Sequence, residues 1–323
     1  MNAGCRLHAF HVYGVHVTSD RPFDLPPISA TSHPVTEVAF REGVAADVAQ
    51  VPVEARRPEP WFTALTLDDG SMYVRWGELG EVMVAPDGSQ VTHRPLAAGD
   101  ERVFERFLFG QALSFALVRQ GFEPLHAAVI AIDGAAVALV GDCTFGKSTL
   151  AAAFVKAGYR LLTDDLLLID RRGGQFLACP GTGRLKLQAD SASAFLGQRD
   201  GIPLHAASTK QTFQLAATEV QRTPLPLCQM LMLPDPAERD TARAIDISRL
   251  PRAAACHRLL KNSFNVEILD ANRVARQFAF AADLASGVDA YAIRYPPGLD
   301  RVAAVRHALI SSVNQTVVEA VSS

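Results

Sequence analysis

Gly141-Asp142-Cys143-Thr144-Phe145-Gly146-Lys147-Ser148 follows the pattern G-x-x-x-x-G-K-[ST], a turn that wraps phosphates. Gly141 and Gly146 allow backbone angles and close approaches that a Cβ forbids, so successive N–H groups can converge on an anion. A helix starting there adds its positive end. Lys147 supplies a point charge for β- and γ-phosphates, and the Ser148 hydroxyl suits Mg2+. Average residue usage produces about one accidental match per hundred chains of this length, so the flanks decide. The apolar run Ala135–Val140 comes before the motif and the helical stretch Ser148–Ala157 after it, which is strand, loop and helix in the required order.

A second element is Leu161-Leu162-Thr163-Asp164-Asp165, an apolar strand ending in carboxylates just beyond the glycine, Gly158, that closes this helix. Two carboxylates beside bound phosphates can divide metal binding from proton abstraction. Neighbouring strand residues face opposite ways, so both reach one site only if the chain turns there; otherwise they are ordinary turn residues. A third is His126 in Leu125-His126-Ala127-Ala128, where a lone histidine in an apolar strand is more often structural than functional.

These groups need elements to hold them. Before residue 100 the chain reads as short strands: Arg6–Thr18, Val35–Phe40, Phe62–Leu67, Ser71–Trp76, Val82–Ala85 and Val91–His93. Asp69-Gly70 and Asp87-Gly88 are hairpin turns, and Ala45–Pro60 is a proline-rich surface loop. From Asp100, a helix cap, apolar residues recur at helical spacing until Gly121. Strands and helices then mix, with strands at Leu125–Ile132, Leu166–Asp170, Leu227–Leu233 and Ala290–Tyr295 and helices near Arg249–Lys261 and Ala271–Ser286. The expectation is an α/β fold with an N-terminal β-rich module, 1–97, and a catalytic domain, 98–323.

Composition narrows the function classes. The 323 residues are 49% hydrophobic and 20% charged, which argues against wholesale disorder or a coiled-coil rod. A net charge of −3 offers no sequence-wide basic field for nucleic acid, and no apolar run approaches membrane-spanning length. The five cysteines, Cys5, Cys143, Cys179, Cys228 and Cys256, form no C-x-x-C pair, so neither a zinc site nor a disulfide framework is expected. No secretory signal stands at the start, and the expected location is the cytoplasm.

The order Leu125-His126-Ala127, then Gly141-Asp142-Cys143-Thr144-Phe145-Gly146-Lys147-Ser148, then Arg160-Leu161-Leu162-Thr163-Asp164-Asp165 resembles the HPr kinase/phosphorylase family over about Pro124–Asp170. The opening Phe10–Asp20, with Pro22 and Leu25-Pro26, resembles the branch that phosphorylates lasso-peptide precursors, typically at a C-terminal serine. The resemblance implies a P-loop kinase core of the HPr kinase/PEP carboxykinase-like type. It implies nucleotide and Mg2+ binding by Gly141, Asp142, Gly146, Lys147 and Ser148, with Cys143, Thr144, Phe145 and Thr149 completing the loop. It places His126 near the transferring phosphoryl group. Of Asp164 and Asp165, one would take the acceptor's proton and the other help Ser148 hold metal, in either order. Arg184, Lys186 and Lys210 are candidate charge stabilisers.

The chain also departs from that family. Thr149 stands where a glutamate usually follows the loop serine, and Cys179–Leu187 replaces the glycine-rich signature linked to phosphorolysis. The expected activity is therefore an ATP-dependent kinase without the reverse reaction, acting on a Ser or Thr hydroxyl of a peptide other than HPr. The alternatives are a small-molecule hydroxyl kinase and a non-catalytic ATP-binding regulatory or assembly module. Neither nucleic acid nor membrane is expected as a partner, and self-association is left open.

Overall fold

The computed structural model describes residues 7–26, 34–204, 208–265, 268 and 270–321; Cys5 lies outside them. The chain forms two compact units, the first running to Pro124 and the second taking nearly all of the chain from Leu125 onward.

The first unit holds β1 (His8–Val12), β2 (Val15–Ser19), β3 (Thr36–Glu42), β4 (Phe62–Thr66), β5 (Met72–Trp76), β6 (Gly80–Val84) and β7 (Gln90–Pro95). They make one sheet in the order β1-β2-β3-β7-β6-β5-β4. The Asp-Gly turns join antiparallel neighbours, with Gly70 and Gly88 at positive φ. The Ala45–Pro60 stretch is not wholly a surface loop, because Val48 and Val51 are buried around two short 3-10 turns.

Two helices follow, α1 (Glu101–Phe107) and α2 (Leu113–Arg119), joined by the wider turn Leu108–Ala112. Asp100 caps α1 by accepting the N–H groups of Arg102 and Val103. The ring of Phe104 lies 6.2 Å from that of Trp76, and Phe109 lies 4.9 Å from Phe40. The helical stretch after Asp100 thus buries its apolar face on the sheet that precedes it. The compact units divide after Pro124.

The second unit contains, in chain order, β8 (Leu125–Ile132), β9 (Ala135–Val140), α3 (Lys147–Lys156), β10 (Arg160–Thr163), β11 (Leu166–Leu167), β12 (Ile169–Arg172) and β13 (Gln175–Ala178). It continues with β14 (Arg184–Gln188), α4 (Ala189–Leu196), β15 (Ile202–Pro203), β16 (Lys210–Gln214), β17 (Leu225–Met232) and α5 (Pro236–Thr241). It ends with β18 (Asp246–Arg249), α6 (Arg252–Lys261), α7 (Ala271–Gly287), β19 (Asp289–Arg294) and α8 (Val302–Val321).

At the centre of the main sheet β17 pairs in parallel with both β9 and β19. On one side β8 and then β10 extend it antiparallel. Strand β9 is covered on both faces, which is why it reads as a continuous apolar run. Val137 and Leu139 pack with α3 and α8, whereas Ala136, Ala138 and Val140 pack with α6 and α7. A separate three-stranded sheet, β14-β16-β15, has polar strands that the sequence pattern did not announce. The architecture is mixed α/β, and no helix among the described residues is long and apolar enough to cross a membrane.

Candidate active site

Strand β9 ends at Val140, and Gly141–Gly146 turn the chain into α3. This places the loop at the carboxyl ends of the parallel strands, beside Met232 and the N–H of Leu233, which donates to the Val140 carbonyl at 2.8 Å. Gly146 caps α3 at φ 92°, and Thr144 is also left-handed at φ 71°. A Cβ at Gly141 would meet the Phe145 ring at 3.0 Å. Gly146 is therefore held to its backbone angle by the lack of a side chain, and Gly141 spares the Phe145 ring a tight contact. Lys147 Nζ donates to the carbonyls of Gly141 (2.7 Å) and Asp142 (2.9 Å), so the cation is held within the loop. Burial pushes its ammonium pKa down, against the pull of Asp164 and Asp165.

Asp164 is buried, and Ser148 Oγ donates to its Oδ1 at 2.9 Å. The Lys186 N–H donates to Oδ2 at 3.0 Å. Burial, and then the charge of Asp165, push Asp164 up from the ordinary carboxylate value. Hydroxyl and carboxylate oxygens so paired fit Mg2+, which binds through one or two carboxylates and keeps several waters.

Asp165 has a positive φ of 81°, a conformation rare outside glycine. It sits between β10 and β11, so the chain does turn there, and both carboxylates reach the same site. Asp165 Oδ2 accepts from Lys186 Nζ at 2.5 Å, and Oδ1 lies 3.1 Å from His126 Nε2. Burial pushes Asp165 up, but Lys186 and His126 outweigh it and hold the carboxyl well below the usual range.

His126 arrives at the start of β8, where antiparallel pairing sets Ala127 opposite Val140. Its N–H donates to the Asn262 carbonyl at 2.7 Å, and its ring lies 5.4 Å from that of Phe264. Cys143 is exposed, and its N–H donates to Asp142 Oδ1 at 2.6 Å. Phe145 packs under the loop. Thr149 is not brought to the carboxylates: its hydroxyl is 3.3 Å from that of Ser191 on α4. Of the three candidate cations, Lys186 joins the carboxylates and Lys210 acts on Lys147 by its charge. Arg184 instead donates to Gln214 on the neighbouring strand at 3.0 Å.

Arg239 on α5 was not anticipated. Its Nη2 donates to the Thr144 carbonyl at 3.3 Å, and its guanidinium lies 5.9 Å from the centre of the Tyr295 ring. A Cβ on Gly146 would stand 3.2 Å from Arg239 Nη1. The sequence signal was the pair Asp235-Pro236 after an apolar strand, since Asp235 caps α5 and Pro236 occupies its first turn. A cavity of about 430 Å³ adjoins the loop at Asp142 and Phe145, with Glu238, Arg258 and Lys261 on its other walls.

No family model matches the chain. Over 60 residues, 19% of the chain, it is 33% identical to an HPr kinase/phosphorylase of Prosthecochloris aestuarii. Over the same length it is 35% identical to an HPr kinase/phosphorylase of Chlorobium phaeobacteroides. Its curated similarity is to HPr kinase/phosphorylases. The stretch is 18% of each relative, so the chain spans about a fifth of the length of the curated relatives it matches. The solved HPr(Ser) kinase/phosphatase of Coxiella burnetii aligns with 61% of this chain and 91% of its own, at 14% identity and a TM-score of 0.33.

Proposed function

We propose that this chain is an ATP-dependent kinase that transfers the γ-phosphoryl group to a Ser or Thr hydroxyl of a peptide. The observation that carries the reading is the division of labour between the two carboxylates. Asp164 is tied to Ser148 under the phosphate loop, while Asp165 points to His126 and Lys186. In this reading Ser148 and Asp164 would hold Mg2+, which neutralises phosphate charge when bound. Asp165 accepts the acceptor's proton, and Lys147 and Lys186 balance charge on the transferring group. A loose phosphoryl transfer asks for orientation and charge neutralisation more than for a strong base, so a carboxylate held ionised can serve. The similarity to HPr kinase/phosphorylases supports the reaction class.

The test is to incubate the protein with Mg2+, ATP and hydroxyl-bearing peptides, beginning with peptides that end in serine, and to look for a gain of about 80 daltons, one phosphate. Transfer to free serine or a sugar but not to peptides would point to a small-molecule kinase. Thr149, turned toward Ser191 and adding no carboxylate, favours a second reading: a module that binds ATP without transferring it. ATP binding with no turnover on any acceptor would establish that reading and sink the first.

A further inference from the structure

His126, Asp142 and Cys143 each offer a ligand atom, and the three atoms lie within 4.8 Å of one another. Among the described residues no other trio of histidine, cysteine and acidic groups comes together in this way. Imidazole nitrogen, carboxylate oxygen and thiolate sulfur form a donor set for Zn2+, whereas Mg2+ selects oxygen. Ligand bonds of about 2.0–2.3 Å place two donors of a tetrahedral ion roughly 3.3–3.8 Å apart, so modest side-chain rotations would close the set.

The surroundings add to this. Asp165 holds Nε2 of His126 at 3.1 Å, and a carboxylate on the far nitrogen is the arrangement that orients a ligating imidazole. Asp142 and Cys143 are exposed, which leaves room for water as a fourth ligand. One carboxylate and one thiolate together balance the charge of a divalent ion.

We propose that His126, Asp142 and Cys143 bind a divalent cation of the zinc class, and that this ion and a bound nucleotide exclude each other at the mouth of the phosphate loop. Two of the three ligands belong to that loop, so a metal drawn across it to His126 occupies the approach a terminal phosphate needs. The exclusion rests on the nucleotide-binding reading; the metal site does not.

Titration of the full chain with Co2+ in excess Mg2+ tests the site, because thiolate ligation gives Co2+ a near-ultraviolet absorption that oxygen ligands do not. The wild type should show a saturable one-to-one band that Zn2+ removes. Both Cys143→Ser and Cys143→Ala should abolish the band, while His126→Ala and Asp142→Asn should weaken binding by about tenfold or more. A wild type without the band, or a band that survives in either folded Cys143 variant, overturns the site. With free Co2+ held constant by a nitrilotriacetate buffer, added ATP should bleach the band, and a band unmoved by saturating ATP overturns the exclusion. Protein that takes Co2+ as stated but binds no ATP keeps the metal site and rejects the nucleotide reading.

Discussion

Ser148 and Asp164 are sixteen residues apart in the chain, yet a hydrogen bond of 2.9 Å joins the first turn of α3 to the end of β10. The Lys186 N–H holds the other Asp164 oxygen, so this carboxylate is fixed from both sides before any ligand arrives. Asp165, the next residue, makes no bond to Ser148 and meets Lys186 through its ammonium rather than its backbone N–H, so the two should fail differently when changed.

Asp164→Asn should weaken Mg2+-dependent ATP binding by about tenfold or more while sparing any Mg2+-independent binding. Asp165→Asn should leave affinity for ATP with Mg2+ nearly unchanged and lower kcat by about 10^2–10^4, the usual worth of a general base. Titration and single-turnover transfer measure the two effects. Equal losses in both variants would mean that the carboxylates do not divide the work.

Lys186→Met should move the acid limb of the kcat profile to higher pH. In the wild type Lys186 and His126 hold Asp165 well below the usual carboxylate range, so it stays ionised as pH falls. Without the Lys186 charge the carboxyl protonates at higher pH and can no longer accept a proton. A pH–rate profile with an unmoved acid limb would remove Asp165 as the base.

Arg239→Ala should weaken ATP and inorganic tripolyphosphate in parallel, by about tenfold or more, because Arg239 braces the Thr144 carbonyl within the phosphate loop. Arg239→Lys should recover part of the loss. Weakening confined to ATP would mean that the guanidinium meets the base rather than supporting the loop.

His93 should make the first unit acid-sensitive. It is fully buried among the rings of Phe23, Phe40 and Phe104, and neither ring nitrogen has a hydrogen-bond partner among the described residues. Burial, with the nearby charge of Arg21, lowers its pKa to about 4. The unfolded histidine titrates near 6.5, so between these values the unfolded chain binds the extra proton. Stability is complete above about pH 6.5 and falls by about 3 kcal/mol as pH drops to 4. His93→Phe should remove this component, measured as the difference in Tm between pH 7 and pH 4.5. An unchanged difference would show that other groups carry the acid response.

Much of the frame was legible in the chain. Asp69-Gly70 and Asp87-Gly88 mark real hairpins because the turn requires positive φ and glycine supplies it at no steric cost. Asp100 caps α1 as its side chain and position indicate. Strands β14 and β16 were not legible, since sequences such as Lys210-Gln211-Thr212-Phe213-Gln214 carry too little apolar alternation to stand out from a loop. For the same reason Lys186 could be named as a cation but not placed.

By itself the sequence determined the Gly141–Ser148 loop and its place between a strand and a helix, because the conformational demands fall on eight consecutive residues and are local. It also determined that His126, Asp164 and Asp165 were worth watching. Only the tertiary structure decided their partners. A left-handed turn at Asp165 lets adjacent carboxylates share one site, strand β14 brings Lys186 to both of them, and α5 delivers Arg239 to a loop 95 residues earlier. Those relationships depend on strand pairing and helix packing across the whole second unit, which no local pattern of residue types encodes.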